Sequence, residues 1–190
     1  MGDQLVCRDS YGEEQIDGKA VSSLGFYYNH NRIAENIDFI FRTYLKGGAG
    51  VPLGSGHMLY LTPTDRFLPD FMVVCDPAII RRDGVHGAPD LVVEVITSAT
   101  VARDRMYKQN LYGKSGVKEY WIVSPESRFI EVYRPHGGVL TCEDVHVQYP
   151  DYMLAAMSEA EGAEVEASFR CKLFPDLTLS IDEIFDGLMP

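Results

Sequence analysis

Pro89-Asp90-Leu91-Val92-Val93-Glu94-Val95-Ile96 reads as a β-strand with one anomaly. Alternation along a strand sends Leu91, Val93 and Val95 to one face and Val92, Glu94 and Ile96 to the other, so Glu94 points among apolar neighbours. Burying an unpaired carboxylate is expensive or forces protonation, and such a group is normally paired, hydrogen-bonded or bound to a metal. We read Glu94 as a metal ligand. A second Pro-Asp dipeptide, Pro69-Asp70, lies in a similar run from Phe67 to Cys75.

Two aspartates compete as the partner of Glu94. Asp90 shares its strand face, but four residues at ~3.3 Å each put the two Cα atoms about 13 Å apart. Asp70 is the better candidate: if Phe67–Cys75 pairs directly with Asp90–Thr97, backbones about 4.8 Å apart set Asp70 beside Glu94. Two adjacent carboxylates repel unless a cation sits between them. Oxygen ligands select a hard ion, Mg2+ or Mn2+.

The chain of 190 residues suits one domain spanning residues 1–190. It has no apolar run near the roughly 20 residues that cross a bilayer, and Met1-Gly2-Asp3-Gln4 resembles neither a secretory signal nor a basic transit segment. The expectation is a soluble, cytoplasmic protein that does not engage a membrane. Cys7, Cys75, Cys142 and Cys171 are too scattered for a zinc site and are expected as reduced thiols. A net charge of −11 argues against nucleic-acid binding by the whole surface. Between Arg81 and Lys118, however, basic residues (Arg81, Arg82, Arg103, Arg105, Lys108, Lys114, Lys118) outnumber acids (Asp83, Asp90, Glu94, Asp104).

Glu14 to Val21 reads as a hairpin about Asp17-Gly18. From His30 to Lys46 the apolar residues Ile33, Ile37, Ile40, Phe41, Tyr44 and Leu45 recur at helical spacing, with Asn29 or Asn31 as cap and Gly47 as terminator. Gly47–Gly56 fits no phosphate-loop pattern and reads as a turn. Strands are expected at His57–Leu61, Phe67–Cys75 and Asp90–Thr97. A helix follows from Val101 to about Lys114, with Thr97, Ser98 and Thr100 as capping residues and an end near Gly113 or Gly116. Lys118–Val123 and Arg128–Arg134 form a second hairpin. Ser158–Glu166 reads as a polar loop or short helix, and Ser180–Glu183 as a capped start to a terminal helix.

Pro69-Asp70, Glu94-Val95-Ile96, Arg103-Asp104-Arg105-Met106-Tyr107-Lys108-Gln109-Asn110-Leu111-Tyr112 and Gly116-Val117-Lys118-Glu119-Tyr120-Trp121 together resemble the Uma-type endonucleases of the PD-(D/E)xK, restriction-endonuclease-like superfamily. The similarity is densest from Asp70 to Tyr133, and Glu14 and His30 match weaker positions. The resemblance implies a mixed α/β fold: a restriction-endonuclease-like core of helix, three strands, helix and strand, with an N-terminal hairpin and C-terminal additions. It also implies a metal-dependent DNA endonuclease, with DNA bound weakly by the local basic face (Arg103, Arg105, Lys114) and a homodimer as one way to reach two strands. One departure stands out. The superfamily lysine, two residues after the glutamate, is Ile96 here, and Lys108 on the following helix substitutes for it.

On this reading Asp70 and Glu94 are metal ligands, Lys108 is the electrostatic catalyst and water positioner, and Glu14, Asp90 and Asp104 are additional candidates. Each has a plainer alternative. Asp70 and Asp90 could cap turn amides, Glu94 could pair with Arg103 or Arg105, Lys108 could pair with Asp104 at i,i+4, and Glu14 could lie on the surface. His30 is expected to cap or pack at its helix start, and Trp121 to sit in the core. Two competing functions remain: a catalytically inactive nuclease-fold binding or regulatory protein, and a hydrolase of another phosphodiester.

Overall fold

The structure, a computed structural model, describes residues 13–22 and 27–189; Cys7 lies outside them. The chain opens with β1 (Glu13–Ile16) and β2 (Lys19–Ser22), an antiparallel hairpin. Asp17 and Gly18 both have positive φ, 48° and 76°. That is the backbone a two-residue turn needs to match strand twist, and Asp-Gly tolerates it best.

Helix α1 (Tyr28–Tyr44) buries Ile33, Ile37 and Phe41 completely. It begins two residues before the expected start, and neither asparagine caps it. Asn29 instead exchanges two hydrogen bonds with the backbone of Met189, at 2.8 and 3.0 Å. Tertiary contact with the chain's far end outcompetes local capping.

The glycine-rich stretch expected as a turn contains β3 (Val51–Gly54). Its backbone groups pair with a later strand, and its place at the sheet edge tolerates Pro52. β4 (Leu59–Tyr60) and β5 (Arg66–Phe67) follow. The single strand expected over Phe67–Cys75 is two strands in two sheets. β5 pairs with β1 and β4, whereas β6 (Phe71–Val74) pairs with β3. Leu68, Pro69 and Asp70 make the crossing, where proline cannot continue a ladder. A 3₁₀ turn (Pro77–Ile79), β7 (Ile80–Arg81) and β8 (Gly84–His86) complete the first sheet, of order β2-β1-β5-β4-β8-β7.

β9 (Leu91–Val95) is buried throughout and pairs antiparallel with β6. The helix after it starts at Val101 and passes through a π-helical turn, Arg103–Lys108, into α2 (Gln109–Ser115). Gly116 ends it in the left-handed conformation at φ 98°. β10 (Glu119–Ser124) returns parallel to β9, and β11 (Phe129–His136) and β12 (Val139–Val147) extend the second sheet to the order β12-β11-β10-β9-β6-β3. The core strands between the two helices are therefore β3, β6 and β9. His57–Leu61, expected as one of them, contributes β4 to the other sheet.

The tail forms α3 (Asp151–Leu154), α4 (Glu159–Ala163) with a full capping box at Ser158 and Glu161, the strand pair β13 (Ser168–Arg170) and β14 (Thr178–Ser180), and α5 (Ile181–Ile184), capped by Ser180. One face of the second sheet packs Leu91, Val93, Val95 and Trp121 against α1 and the tail. The other packs Val92, Ile96, Tyr120 and Ile122 against α2 and the first sheet. The alternation expected for β9 is the alternation observed. The molecule is a mixed α/β fold of restriction-endonuclease-like topology. None of its described helices is long and apolar enough to cross a membrane.

Candidate functional site

The register Phe71↔Val93, carried one step further, sets Asp70 opposite Glu94 at the end of the sheet where β9 finishes and β6 begins. Asp70 Oδ2 accepts a 2.7 Å hydrogen bond from the Val95 amide, and Oδ1 lies 3.3 Å from His30 Nε2. Glu94 is buried, and its Oε1 accepts from Lys108 Nζ at 2.9 Å and from the Tyr112 hydroxyl at 2.7 Å. Lys108, only 1% exposed, also lies 2.7 Å from Glu14 Oε1 and 3.4 Å from Asp104 Oδ1. Glu14 is itself 1% exposed, accepts from the Leu68 amide at 3.2 Å, and reaches Arg103 at 3.2 Å. Glu14, His30, Asp70, Glu94, Asp104 and Lys108 line one cavity of about 20 Å³, room for an occupant the size of a water.

Each element brings its residue for a local reason. The Asp17-Gly18 turn folds β1 back so that Glu14 faces the sheet. The proline crossing swings Asp70 from one sheet to the other. The π-helical turn carries Asp104 and Lys108, four residues apart, to the same buried side; such turns recur at functional sites. Of the two readings of Glu14, surface or site, burial excludes the surface. The partner of Glu94 is Lys108, not Arg103 or Arg105.

His30 and Tyr112 were not expected in this cluster. An isolated histidine has no spacing signal, and a tyrosine among core aromatics looks like core until its hydroxyl finds Glu94. Asp90 stands apart, accepting from the Cys75 amide at 2.7 Å and pairing with Lys118 at 2.6 Å. It caps a turn. Arg105 holds Glu131 at 2.7 Å and covers the Phe129 ring, and Arg103 faces Glu14 at 3.2 Å. Lys114 is exposed on α2. Trp121 is core, its indole donating to Glu119 at 2.7 Å. Cys75, Cys142 and Cys171 are free thiols.

Acidic side chains outnumber the Lys and Arg cations in the cluster. Four carboxylates (Glu14, Asp70, Glu94, Asp104) face two fixed cations, Lys108 and Arg103. Burial raises the Glu94 pKa well above its ordinary value; Lys108 opposes the shift, while Asp104, Asp70 and Glu14 add to it. Burial works against charge on Lys108, yet Glu94, Glu14 and Asp104 outweigh it and hold the ammonium protonated. Burial likewise opposes charge on His30, but Asp70 prevails and raises its pKa. Glu14 Oε2 and Asp104 Oδ1 are buried without a hydrogen-bond donor.

Among the described residues no group of three or more His, Cys, Asp or Glu side chains forms a ready metal cage. The donor chemistry nevertheless suits a hard divalent ion. Magnesium commonly takes one or two carboxylates and keeps several waters, and Asp70 and Glu94 are two carboxylates beside one small polar cavity.

The family model described as "Uma2: Putative restriction endonuclease" matches residues 11–160. "Uncharacterized protein slr1290" of Synechocystis sp. is 31% identical over 122 residues, which cover 63% of this chain and 64% of that protein's length. Among solved structures, a crystal structure described as "a putative nuclease belonging to DUF820" from Anabaena variabilis superposes with a TM-score of 0.69 at 18% identity, covering 93% of this chain and 90% of that one. At that identity the likeness speaks for the fold. The family match, over most of the chain's length, places it in the Uma2 family of restriction-endonuclease-like proteins.

Proposed function

We propose that this chain is a Mg2+- or Mn2+-dependent DNA endonuclease acting at the sheet end that carries Asp70 and Glu94. The observation that supports it best is that Asp70 and Glu94 stand opposite each other on neighbouring strands, beside a polar cavity one small ion could fill. Asp70 and Glu94 would hold the ion, which when bound supplies Lewis acidity and an acidified water for attack on a phosphodiester. The Val95 amide and His30 fix the two oxygens of Asp70, and Lys108 and Tyr112 fix Glu94. Two of the three ammonium protons of Lys108 are taken up by Glu14 and Glu94. The third faces Asp104 at the looser 3.4 Å and is the one free to turn toward a phosphate oxygen or an attacking water.

A second reading, a nuclease-fold binding protein without activity, draws on the net charge of −11 and on the engagement of Arg103 and Arg105 by Glu14 and Glu131. One experiment separates the two. Wild-type, Asp70→Ala and Glu94→Ala proteins are incubated with single-stranded, double-stranded and branched DNA in Mg2+ or Mn2+, and metal binding is followed by calorimetry. Cleavage by wild type alone supports the nuclease. Metal binding lost in both variants, with no DNA cut by any protein, supports the binding protein. Cleavage of small phosphodiesters but not DNA points to another substrate.

A further inference from the structure

His30 has a second surface. Besides lining the small carboxylate cavity, it lines a cleft of about 470 Å³ just outside it. One wall is the start of α1, with Tyr27 68% and Tyr28 59% exposed; the facing wall is Ile96 and Thr97 after β9, with Pro125 of the β10–β11 turn. Both walls are set before any ligand arrives. The paired hydrogen bonds between Asn29 and Met189 tie the chain's end to the first turn of α1. The Ile96 amide donates to Val123 at 2.8 Å, and the Thr97 amide to the Thr100 hydroxyl at 3.1 Å.

We propose that this cleft is a stacking subsite for an unpaired nucleobase next to the phosphodiester held at Asp70 and Glu94. The inference rests on the nuclease reading above. Three observations carry it. The cleft and the cavity share His30, so a strand lying across the cavity continues into the cleft. Apart from His30, the lining among the described residues holds no basic side chain and includes the carboxylate of Glu126. That suits a base, whose exocyclic amines a carboxylate can accept, rather than a phosphate. Exposed tyrosine rings at a cleft of this size offer the face on which a base stacks. A base held in a duplex cannot enter without leaving its stack, so the substrates favoured are single strands, bulges or branches over intact duplex.

The test uses oligonucleotides carrying the fluorescent base 2-aminopurine, presented as a single strand, in a blunt duplex and in a single-base bulge, and titrated with the wild-type chain in EDTA and again in Ca2+. Quenching is expected with the single strand and the bulge, and little with the duplex. Tyr27→Ala and Tyr28→Ala, both exposed positions, should together weaken binding by about 5- to 150-fold, which corresponds to ~1–3 kcal/mol for one stacked base. Tyr27→Phe and Tyr28→Phe should retain it. Equal binding of all three forms, or alanine variants that bind like wild type, overturns the subsite. Cleavage is scored separately. Tyrosine-dependent binding of unpaired strands with nothing cut leaves the subsite standing and removes the nuclease. Duplex cleavage indifferent to the tyrosines does the reverse, and no binding to any form removes both.

Discussion

Lys108 Nζ lies 2.9 Å from Glu94 Oε1, joining the π-helical turn to the strand it crosses over. The superfamily pattern would place a lysine two residues beyond the glutamate, where this chain has buried Ile96. An ammonium from the neighbouring helix reaches the same carboxylate.

Lys108→Ala should lower cleavage by roughly a hundredfold or more, the scale of one preorganised electrostatic group, about 2.7 kcal/mol. It should still bind Mg2+ or Mn2+ by calorimetry, since Asp70 and Glu94 remain. Stability in urea should fall by about 3–5 kcal/mol, because Glu14, Glu94 and Asp104 lose a buried cation. Ile96→Lys in that background should restore part of both. Unchanged cleavage in Lys108→Ala would reduce Lys108 to an ion-pair partner.

Asp70→Asn and Glu94→Gln should each abolish metal-dependent cleavage. Their metal-free melting temperatures should hold or rise, because each removes one ionisable carboxyl from a crowded, buried acidic cluster while an amide oxygen can still accept the existing hydrogen bonds. A marked fall in melting temperature in either variant would show that the carboxylates stabilise the fold.

Asp90→Asn should leave cleavage within about twofold of wild type and lower stability by about 0.5–1 kcal/mol. Asp90 caps the Cys75 amide, and its partner Lys118 is largely solvent-exposed. A large loss of activity would bring Asp90 into the site.

The Asp65 carboxyl ties the helix to the N-terminal hairpin. It accepts from the Tyr107 hydroxyl at 2.6 Å, from the Asp17 amide at 3.0 Å, and from Thr62 and Thr64. Burial pushes its pKa up, but those donors prevail and lower it to about 2. Because the folded pKa lies below the unfolded value near 4, this stabilisation is full above that value and disappears as pH falls toward 2. Urea denaturation of Asp65→Asn across that window should show a shallower loss than wild type, by about 1–2 kcal/mol after solvent screening. Parallel curves would show that Asp65 titrates alike in both states.

Much of the site's chemistry was legible in the linear chain. Alternation about Glu94 required a buried carboxylate, since a strand's period of two allows no other face once Val92 and Ile96 turn inward. The same logic placed Asp70 beside it, and Asp17-Gly18 specified its hairpin by turn chemistry alone. These are properties of the strand or turn in which each residue sits.

Tertiary structure decided which distant elements meet. Glu14 looked like half of a surface acidic pair, and it is buried because the crossing at Pro69 folds the first sheet over the end of the second. His30 carries no local signal, and it reaches Asp70 because α1 packs along the β9 face with its first turn at the strand's end. The π-helical turn leaves no mark in a helical periodicity, yet it sets the side of the helix from which Lys108 enters. Periodicity reports which face of its own element a residue occupies. What that face meets depends on sheet order, and sheet order is fixed by how the burial of the whole core is satisfied.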